Sequence, residues 1–296
     1  MYKIGIDLGG TKIEGIVLNE KNEEIFRKRI ATEQEKGYEH ILNNIYSLYQ
    51  HLLENTKGNT TTLGIGTPGA VSTKTGLLKN SNTTCLNGKN FLADLEKKLQ
   101  RKIAIQNDAN CFAMAEALIG AGENKQWVVG VIMGTGCGGG IVCNEKVLSG
   151  KQAIAGEFGH TTLDYKNGAL CYCGKKGCVG TYISGSGLEN RFLENTGKRI
   201  SIIEIIELYR KKDEVAKKTM DDFFENFGVA ISNLINTLDP DVIVLGGGLS
   251  NIDELYTTGI EKVKKYVFND ELLTPIVKNK LGDSAGVFGA ALIGIQ

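Results

Sequence analysis

Between residues 160 and 178 the chain carries His160, Cys171, Cys173 and Cys178, four nitrogen and sulfur donors close together in sequence. Zn2+ takes four such donors in tetrahedral structural sites. The C-x-C pair is tighter than the usual finger spacing, but Gly174 and Gly177 let the backbone wrap around an ion. The competing reading is three unrelated thiols in a reducing compartment, where clustered cysteines are otherwise metal ligands or redox groups. The spacing favours the metal. With four protein donors no position stays open for water or substrate, so this zinc is expected to hold a loop rather than do chemistry. Glu157, three residues before His160, is the first group such a loop would position.

Two further sets of residues could do chemistry. Gly134-Thr135-Gly136-Cys137-Gly138-Gly139 satisfies G-x-G-x-x-G, but the strand-like Ile141-Val142-Cys143 follows it, not the helix a dinucleotide site needs. No P-loop motif occurs. What remains is three strand-ending glycine turns, at 9–10, 134–140 and 246–248. They are either tight hairpins or nests of backbone N–H groups around phosphate oxygens, and their recurrence favours phosphate. Asn107-Asp108 lies at a strand-to-helix junction. There Asp108 is either an N-cap or a general base for a hydroxyl, with Asn107 fixing a neighbouring hydroxyl. Asp7 is either a turn residue or an oxygen ligand holding Mg2+ through water. His40 and His51 fall in a helix and are expected at the surface, and no Ser/His/Asp triad is arranged.

The elements that must position these groups are legible in outline. Tyr2 to Leu8, Ile13 to Leu18 and Glu24 to Thr32 read as an antiparallel meander. Ile41, Ile45, Leu48 and Leu52 mark a helix over residues 36–57, and Leu92, Leu95 and Leu99 a second. Short strands are expected at Leu63–Gly66 and Ile103–Ile105, and a helix from Ala109 to Ile119. At Trp127 the chain starts again. A shift of 125 carries Gly5, Gly9 and Gly15 onto Gly130, Gly134 and Gly140, and Asn19-Glu20-Lys21 onto Asn144-Glu145-Lys146, without a gap. Two halves of related fold follow from that repeat. Asp7 falls opposite Ile132, so only the first copy keeps a carboxylate. Helical pattern is expected from Ile202 to Leu238, a strand at Val242–Leu245, a helix over Ile252–Tyr266, and a small-residue helix from Gly286 to Ile295 packed on the first half.

The totals narrow the class. A chain of 296 residues suffices for two domains. Lys+Arg 34 against Asp+Glu 34 gives zero net charge, which argues against nucleic acid or an anionic membrane as main partner. No signal pattern and no apolar run long enough to span a membrane occur, so a cytoplasmic protein is expected. Cys85, Cys111, Cys137 and Cys143 read as small core residues rather than a disulfide framework. Gly 38 against Pro 3 is unusual, and many of the glycines follow short apolar runs where backbone must approach something closely.

Together, Asp7-Leu8-Gly9-Gly10-Thr11-Lys12, Gly66-Thr67-Pro68-Gly69, Asn107-Asp108-Ala109-Asn110 and Gly134-Thr135-Gly136 resemble motifs of the ROK group (repressors, open reading frames, kinases) of bacterial sugar kinases. The likeness continues through Glu157-Phe158-Gly159-His160, the three cysteines, Asp239 to Gly248, and Gly282 to Gly286, and covers essentially the whole chain. It implies an α/β, actin-like ATPase fold of the hexokinase type (ribonuclease H-like), with two α/β domains and a cleft between them. The expected division is residues 1–118 plus 284–296 as the smaller domain and 119–283 as the larger one with the zinc loop. The resemblance implies ATP and Mg2+, cytoplasmic carbohydrate metabolism, and a homodimer.

By the same resemblance Asp108 is the catalytic base for the 6-hydroxyl of a hexose. Gly69, Asn82, Asn107, Glu157 and His160 join it around the sugar, with His160 also a zinc ligand through its other nitrogen. Asp7, Gly9, Gly10, Thr11, Lys12, Gly134, Thr135, Gly136, Gly246, Gly247 and Gly248 face the nucleotide. The segments 79–88 and 171–175 look most like bacterial fructokinases that also accept mannose. N-acetylglucosamine or N-acetylmannosamine kinases are the nearest alternative, and glucokinases follow. Val179-Gly180 departs from the family, which usually has Glu at the second position as a further sugar ligand. A water would fill the space, or the site would admit a bulkier sugar. Some relatives are repressors with a DNA-binding domain ahead of this fold, which is not expected here because the first strand begins at the start of the chain. A non-catalytic sugar sensor is the other class, and Asp7 and Asp108 weigh against it.

Overall fold

The computed structural model describes residues 1–294. In chain order the strands and helices are β1 (Tyr2–Leu8), β2 (Lys12–Leu18), β3 (Glu24–Ala31), α1 (Tyr38–Glu54), β4 (Thr61–Thr67), β5 (Ala70–Val71) and β6 (Leu78–Lys79). Then come α2 (Phe91–Leu99), β7 (Ala104–Asn107), α3 (Asp108–Ile119), β8 (Trp127–Met133), β9 (Cys137–Cys143) and β10 (Lys146–Val147). The rest is α4 (Gly185–Thr196), α5 (Ile202–Arg210), α6 (Glu214–Leu238), β11 (Val242–Gly246), α7 (Thr258–Tyr266), β12 (Ile276–Lys278) and α8 (Ala285–Ile293). Ile295, expected in the last helix, lies outside the described residues. No helix among the described residues is long and apolar enough to cross a membrane.

Two compact units emerge. The first holds Met1–Gln126, Gly140–Gly156 and the tail from Lys280; the second holds Trp127–Gly139 and Glu157–Asn279. The first sheet runs β3-β2-β1-β4-β7, with β1 to β3 antiparallel and β4 and β7 parallel to β1. Its period-2 alternation turns Ile4, Ile6 and Leu8 to one face, where they join Ile41, Ile45, Leu48 and Leu52 of α1 and Phe91, Leu95 and Leu99 of α2 in one core. The other face is kept flat by glycine because α8 lies on it. A side chain on Gly64 would collide with the Ala290 carbonyl, and one on Gly5 with the backbone of Ala291. The tail helix therefore does pack on the first half. Glu116 of α3 is fully buried and takes N–H groups from Ala121 at 2.8 Å and Leu281 at 2.9 Å, tying the incoming tail to α3.

The second sheet runs β10-β9-β8-β11-β12, the same order and directions as the first, with β11 parallel to both β8 and β12. The shift of 125 carries both ends of β1 onto those of β8, and both ends of β2 onto those of β9. The repeat read from the glycines is a repeat of fold. It fades after the turn, since β3 has 8 residues and β10 only 2.

The helical region expected over 202–238 is two helices, not one. Lys212 takes a positive φ of 65°, and Asp213 then caps α6 by accepting the Ala216 N–H at 2.8 Å. The helix expected from Ile252 is α-helical only from Thr258, after two short 3-10 turns. Helix α4 was not foreseen: its buried apolar side chains are only Leu188 and Phe192, too few to set a period.

Candidate active site and metal centre

In the first unit Asp7 sits near the end of β1, in register with Glu14 of β2. The Gly9 N–H closes the following turn on the Lys12 carbonyl at 2.9 Å. Burial pushes the Asp7 carboxyl up to about 7, and the negative charges of Asp108 and Glu14 add to the shift against Lys12. Glu14 is 2% exposed, with both oxygens 2.9 Å from Arg29, Arg27 at 3.6 Å and Lys12 at 3.9 Å. Sequence reasoning missed Glu14, and the only available signal was its place opposite Asp7 on a hairpin.

The cap of α3 is Asn107, not Asp108: its Oδ1 accepts the Asn110 N–H at 2.8 Å. Asp108 accepts the Ala109 N–H at 2.8 Å. Its side chain is accessible to solvent, yet surrounding protein desolvates it enough to raise its pKa, against the lowering by nearby N–H groups. Gly69 needs its positive φ of 80°, and the backbone of residues 79–81 leaves no room for a Cβ. Asn82 is exposed on a loop that Asn87 closes, accepting the Ser81 N–H and donating to the Ser81 carbonyl, both at 2.9 Å.

The second unit gathers backbone rather than carboxylates. The turn after β8 is held by Gly134 N–H to the Gly136 carbonyl at 2.9 Å. The N-terminus of α4 meets it: Gly185 N–H donates to the Gly134 carbonyl at 2.7 Å, and the Ser186 hydroxyl to the Thr135 carbonyl at 2.7 Å. Gly247, at φ 77°, backs onto the Met133 carbonyl. The turns at 134–136 and 246–248 thus come together, joined by Gly185 and Ser186, which the sequence did not flag. A Cβ on Gly134, Gly136 or Gly248 would meet nothing within 4 Å, so packing does not demand glycine there and the backbone is open to approach. Thr135 is exposed between them.

The four soft donors do converge. One atom each from His160, Cys171, Cys173 and Cys178 lies within 4.8 Å of all the others. Cys173 Sγ is 3.6 Å from Cys178 Sγ, and Cys171 Sγ is 3.7 Å from His160 Nδ1. Tetrahedral bonds of about 2.3 Å to sulfur and about 2.0 Å to nitrogen put neighbouring donors roughly 3.5–3.8 Å apart. The donor set fits zinc. The Lys175 N–H draws the Cys173 thiol down to about 7, while burial pushes Cys178 up to about 12. Gly177 takes a φ of 68° where its Cα runs against the Asp164 backbone, so the loop turns sharply behind the donors. His160 Nε2, the ring nitrogen not set against Cys171, is 2.8 Å from the Tyr172 hydroxyl, and the two rings meet edge-on at 5.1 Å. Tyr172 was not foreseen as its neighbour. Glu157 starts the 3-10 turn Phe158–His160 that presents His160.

All seven cysteines are free; of the four outside the cluster only Cys111 is fully buried, the others being half-buried. Enclosure pushes the Cys137 thiol up to about 12, which leaves it inert at neutral pH.

The ROK family profile matches residues 3–296. The N-acetyl-D-glucosamine kinase of Histophilus somni (strain 129Pt) is 42% identical over 301 residues, 98% of this chain and 97% of that protein. The enzyme of the same name from Haemophilus influenzae (strain 86-028NP) is 40% identical, with 98% of each chain covered. Among solved structures, the ROK hexokinase from Thermus thermophilus superposes with a TM-score of 0.90 at 28% identity, over 99% of this chain and 97% of that one. A ROK family glucokinase from Streptomyces griseus, in complex with glucose and AMPPNP, gives 0.77 at 26% identity, over 98% of each. These relatives do not support the fructokinase likeness read from residues 79–88 and 171–175, and they favour the N-acetylglucosamine alternative. With the profile running almost end to end and both sheets in place, the chain belongs to the ROK family and has its actin-like, hexokinase-type α/β fold.

Proposed function

We propose that the protein is an ATP-dependent sugar kinase that transfers the γ-phosphate to the 6-hydroxyl of N-acetylglucosamine. The observation that carries this reading is the 42% identity, along the whole chain, to a kinase of that name. Asp108 takes the hydroxyl proton: desolvation brings its pKa up towards the range in which a base works, and the Ala109 N–H fixes its orientation. Asn107, Glu157 and His160 hold the ring, joined by Gly69 and Asn82. Asp7 has acidic neighbours in Asp108 and Glu14, a charge that a divalent cation would offset. Mg2+ with ATP supplies charge neutralisation on the phosphates. The turns at 9–12, 134–136 and 246–248 offer backbone N–H groups to those phosphates. Zinc on His160, Cys171, Cys173 and Cys178 would fix the loop that presents Glu157 and His160. Such an enzyme would work in the cytoplasm, where its unpaired thiols stay reduced.

The test is ADP release with Mg2+-ATP across N-acetylglucosamine, N-acetylmannosamine, glucose, mannose and fructose. The expected result is the highest kcat/KM with N-acetylglucosamine. Preference for fructose would restore the fructokinase reading, and silence on all five by folded, zinc-loaded protein would point to a sensor.

A further inference from the structure

In the first unit a cavity of about 120 Å³ lies at the junction of β7 and α3. Anything beyond roughly 10–15 Å³ holds a water, so this space takes a group of several heavy atoms. One wall is polar and almost fully committed. Gln106 donates to the Ser149 hydroxyl at 3.0 Å and accepts from Asn110 Nδ2 at 2.9 Å, a chain that fixes which end of each amide points where. The remaining atom is Asn110 Oδ1. Asn110 is 6% exposed, and this carbonyl oxygen, shut off from solvent, has no hydrogen-bond partner among the described residues, so a donor in the cavity meets it once the side chain turns slightly outward. A buried acceptor left unpaired is costly, so its natural complement is a donor brought in from outside. The other wall is apolar, with Val71, Ile105 and Ala153. Asn107, on the same junction, also lines the space.

The chemistry asked for is one N–H donor attached to a small apolar group, which describes a secondary acetamide. A bare hydroxyl could donate to Asn110 but would leave the apolar wall untouched. We propose that this cavity is the subsite for the 2-acetamido substituent of the sugar, with Asn110 Oδ1 accepting its N–H and its methyl resting against Val71 and Ala153. The proposal rests on the amino-sugar kinase reading above and names the residues that would set its specificity. A site built to satisfy a substrate donor discriminates against analogues that lack it, because its own acceptor is then left unpaired.

The experiment compares kcat/KM for N-acetylglucosamine and for glucose in the wild type, in Asn110→Leu and in Ala153→Leu. Leucine at 110 keeps the size and removes the acceptor; leucine at 153 fills the cavity from the opposite wall and leaves the amide chain intact. In either variant the N-acetylglucosamine-to-glucose ratio is expected to fall about tenfold, with glucose turnover kept within about threefold. Equal losses on both sugars, or an unchanged ratio in both variants, overturn the subsite. If Asn110→Leu does not fold, Ala153→Leu decides alone. A wild type that already prefers glucose or fructose rejects the N-acetylglucosamine assignment itself, and that outcome is read before either variant is made.

Discussion

The hairpins β1–β2 and β8–β9 have the same length, a turn opening on glycine and the same place in their sheets. They differ in what they carry. Asp7 and Glu14 are paired across the first hairpin, and Arg27, Arg29 and Lys12 surround Glu14. The corresponding positions in the second are Ile132 and Gly139. One copy of the scaffold has become a place for charged side chains, and the other a place for bare backbone and, beyond it, the loop that gathers His160, Cys171, Cys173 and Cys178. A repeated hairpin supplied the positions, and within it the side chains diverged.

Five substitutions would break or sharpen that contrast. The largest effect is expected from Asp108→Asn, which removes the base while leaving its neighbours in place. Turnover should fall by about 10²–10⁴ with sugar binding retained in calorimetry, and near-normal turnover would end the assignment. Cys173→Ser attacks the second unit instead: elemental analysis should show zinc lost, and sugar affinity should drop as Glu157 and His160 lose their frame. Zinc-free wild-type protein would sink that argument.

The paired variants Asp7→Asn and Ile132→Val test the contrast most directly. The first should raise the Mg2+ needed for half-maximal rate by about tenfold or more, and the second should change only stability, by about 0.5–1.5 kcal/mol. Asp7 also predicts a pH dependence. Its folded pKa of about 7 lies above its ordinary value of 3.8, so the folded state binds the extra proton. The contribution from Asp7 therefore stabilises the metal-free protein at low pH and is lost as pH rises from about 4 through 7. Melting curves for Asp7→Asn should show a weaker decline over that window; identical slopes would mean that Asp7 titrates normally. The smallest effect is expected from Gly180→Glu. A Cβ there lies 3.3 Å from the Gly159 carbonyl oxygen and 3.7 Å from Cys137 Cβ, so a slight shift admits it. Sugar affinity should tighten a few-fold, and unchanged affinity for every sugar would mean that position does not face the substrate.

What could be read from the chain was whatever has a local signature. The cluster of His160, Cys171, Cys173 and Cys178 announces itself by spacing, and the repeat by glycines that backbone geometry fixes in place. Glu14 and Glu116 carry no such mark: one owes its setting to arginines on β3, the other to N–H groups some 165 positions away. Helix α4 is short of apolar residues because few of its side chains are buried, so periodicity had nothing to report. Tyr172 looks like an ordinary loop aromatic, and at 89% exposure burial gives no hint of it either. Only the turn of the loop brings its hydroxyl to His160.

The flat glycine face under α8 has a consequence for how the protein is made. Synthesis runs from the N-terminus, and domains generally fold as units as they emerge. Here the first sheet is complete once Asn107 has been made, but α8, the helix that covers its glycine face, follows the whole of the second unit in sequence. Throughout translation of everything between, β1 and β4 must wait with that face uncovered. The first unit is thus finished only after the second has been made, and a chain cut short before Ala285 leaves the glycine face of its opening sheet bare.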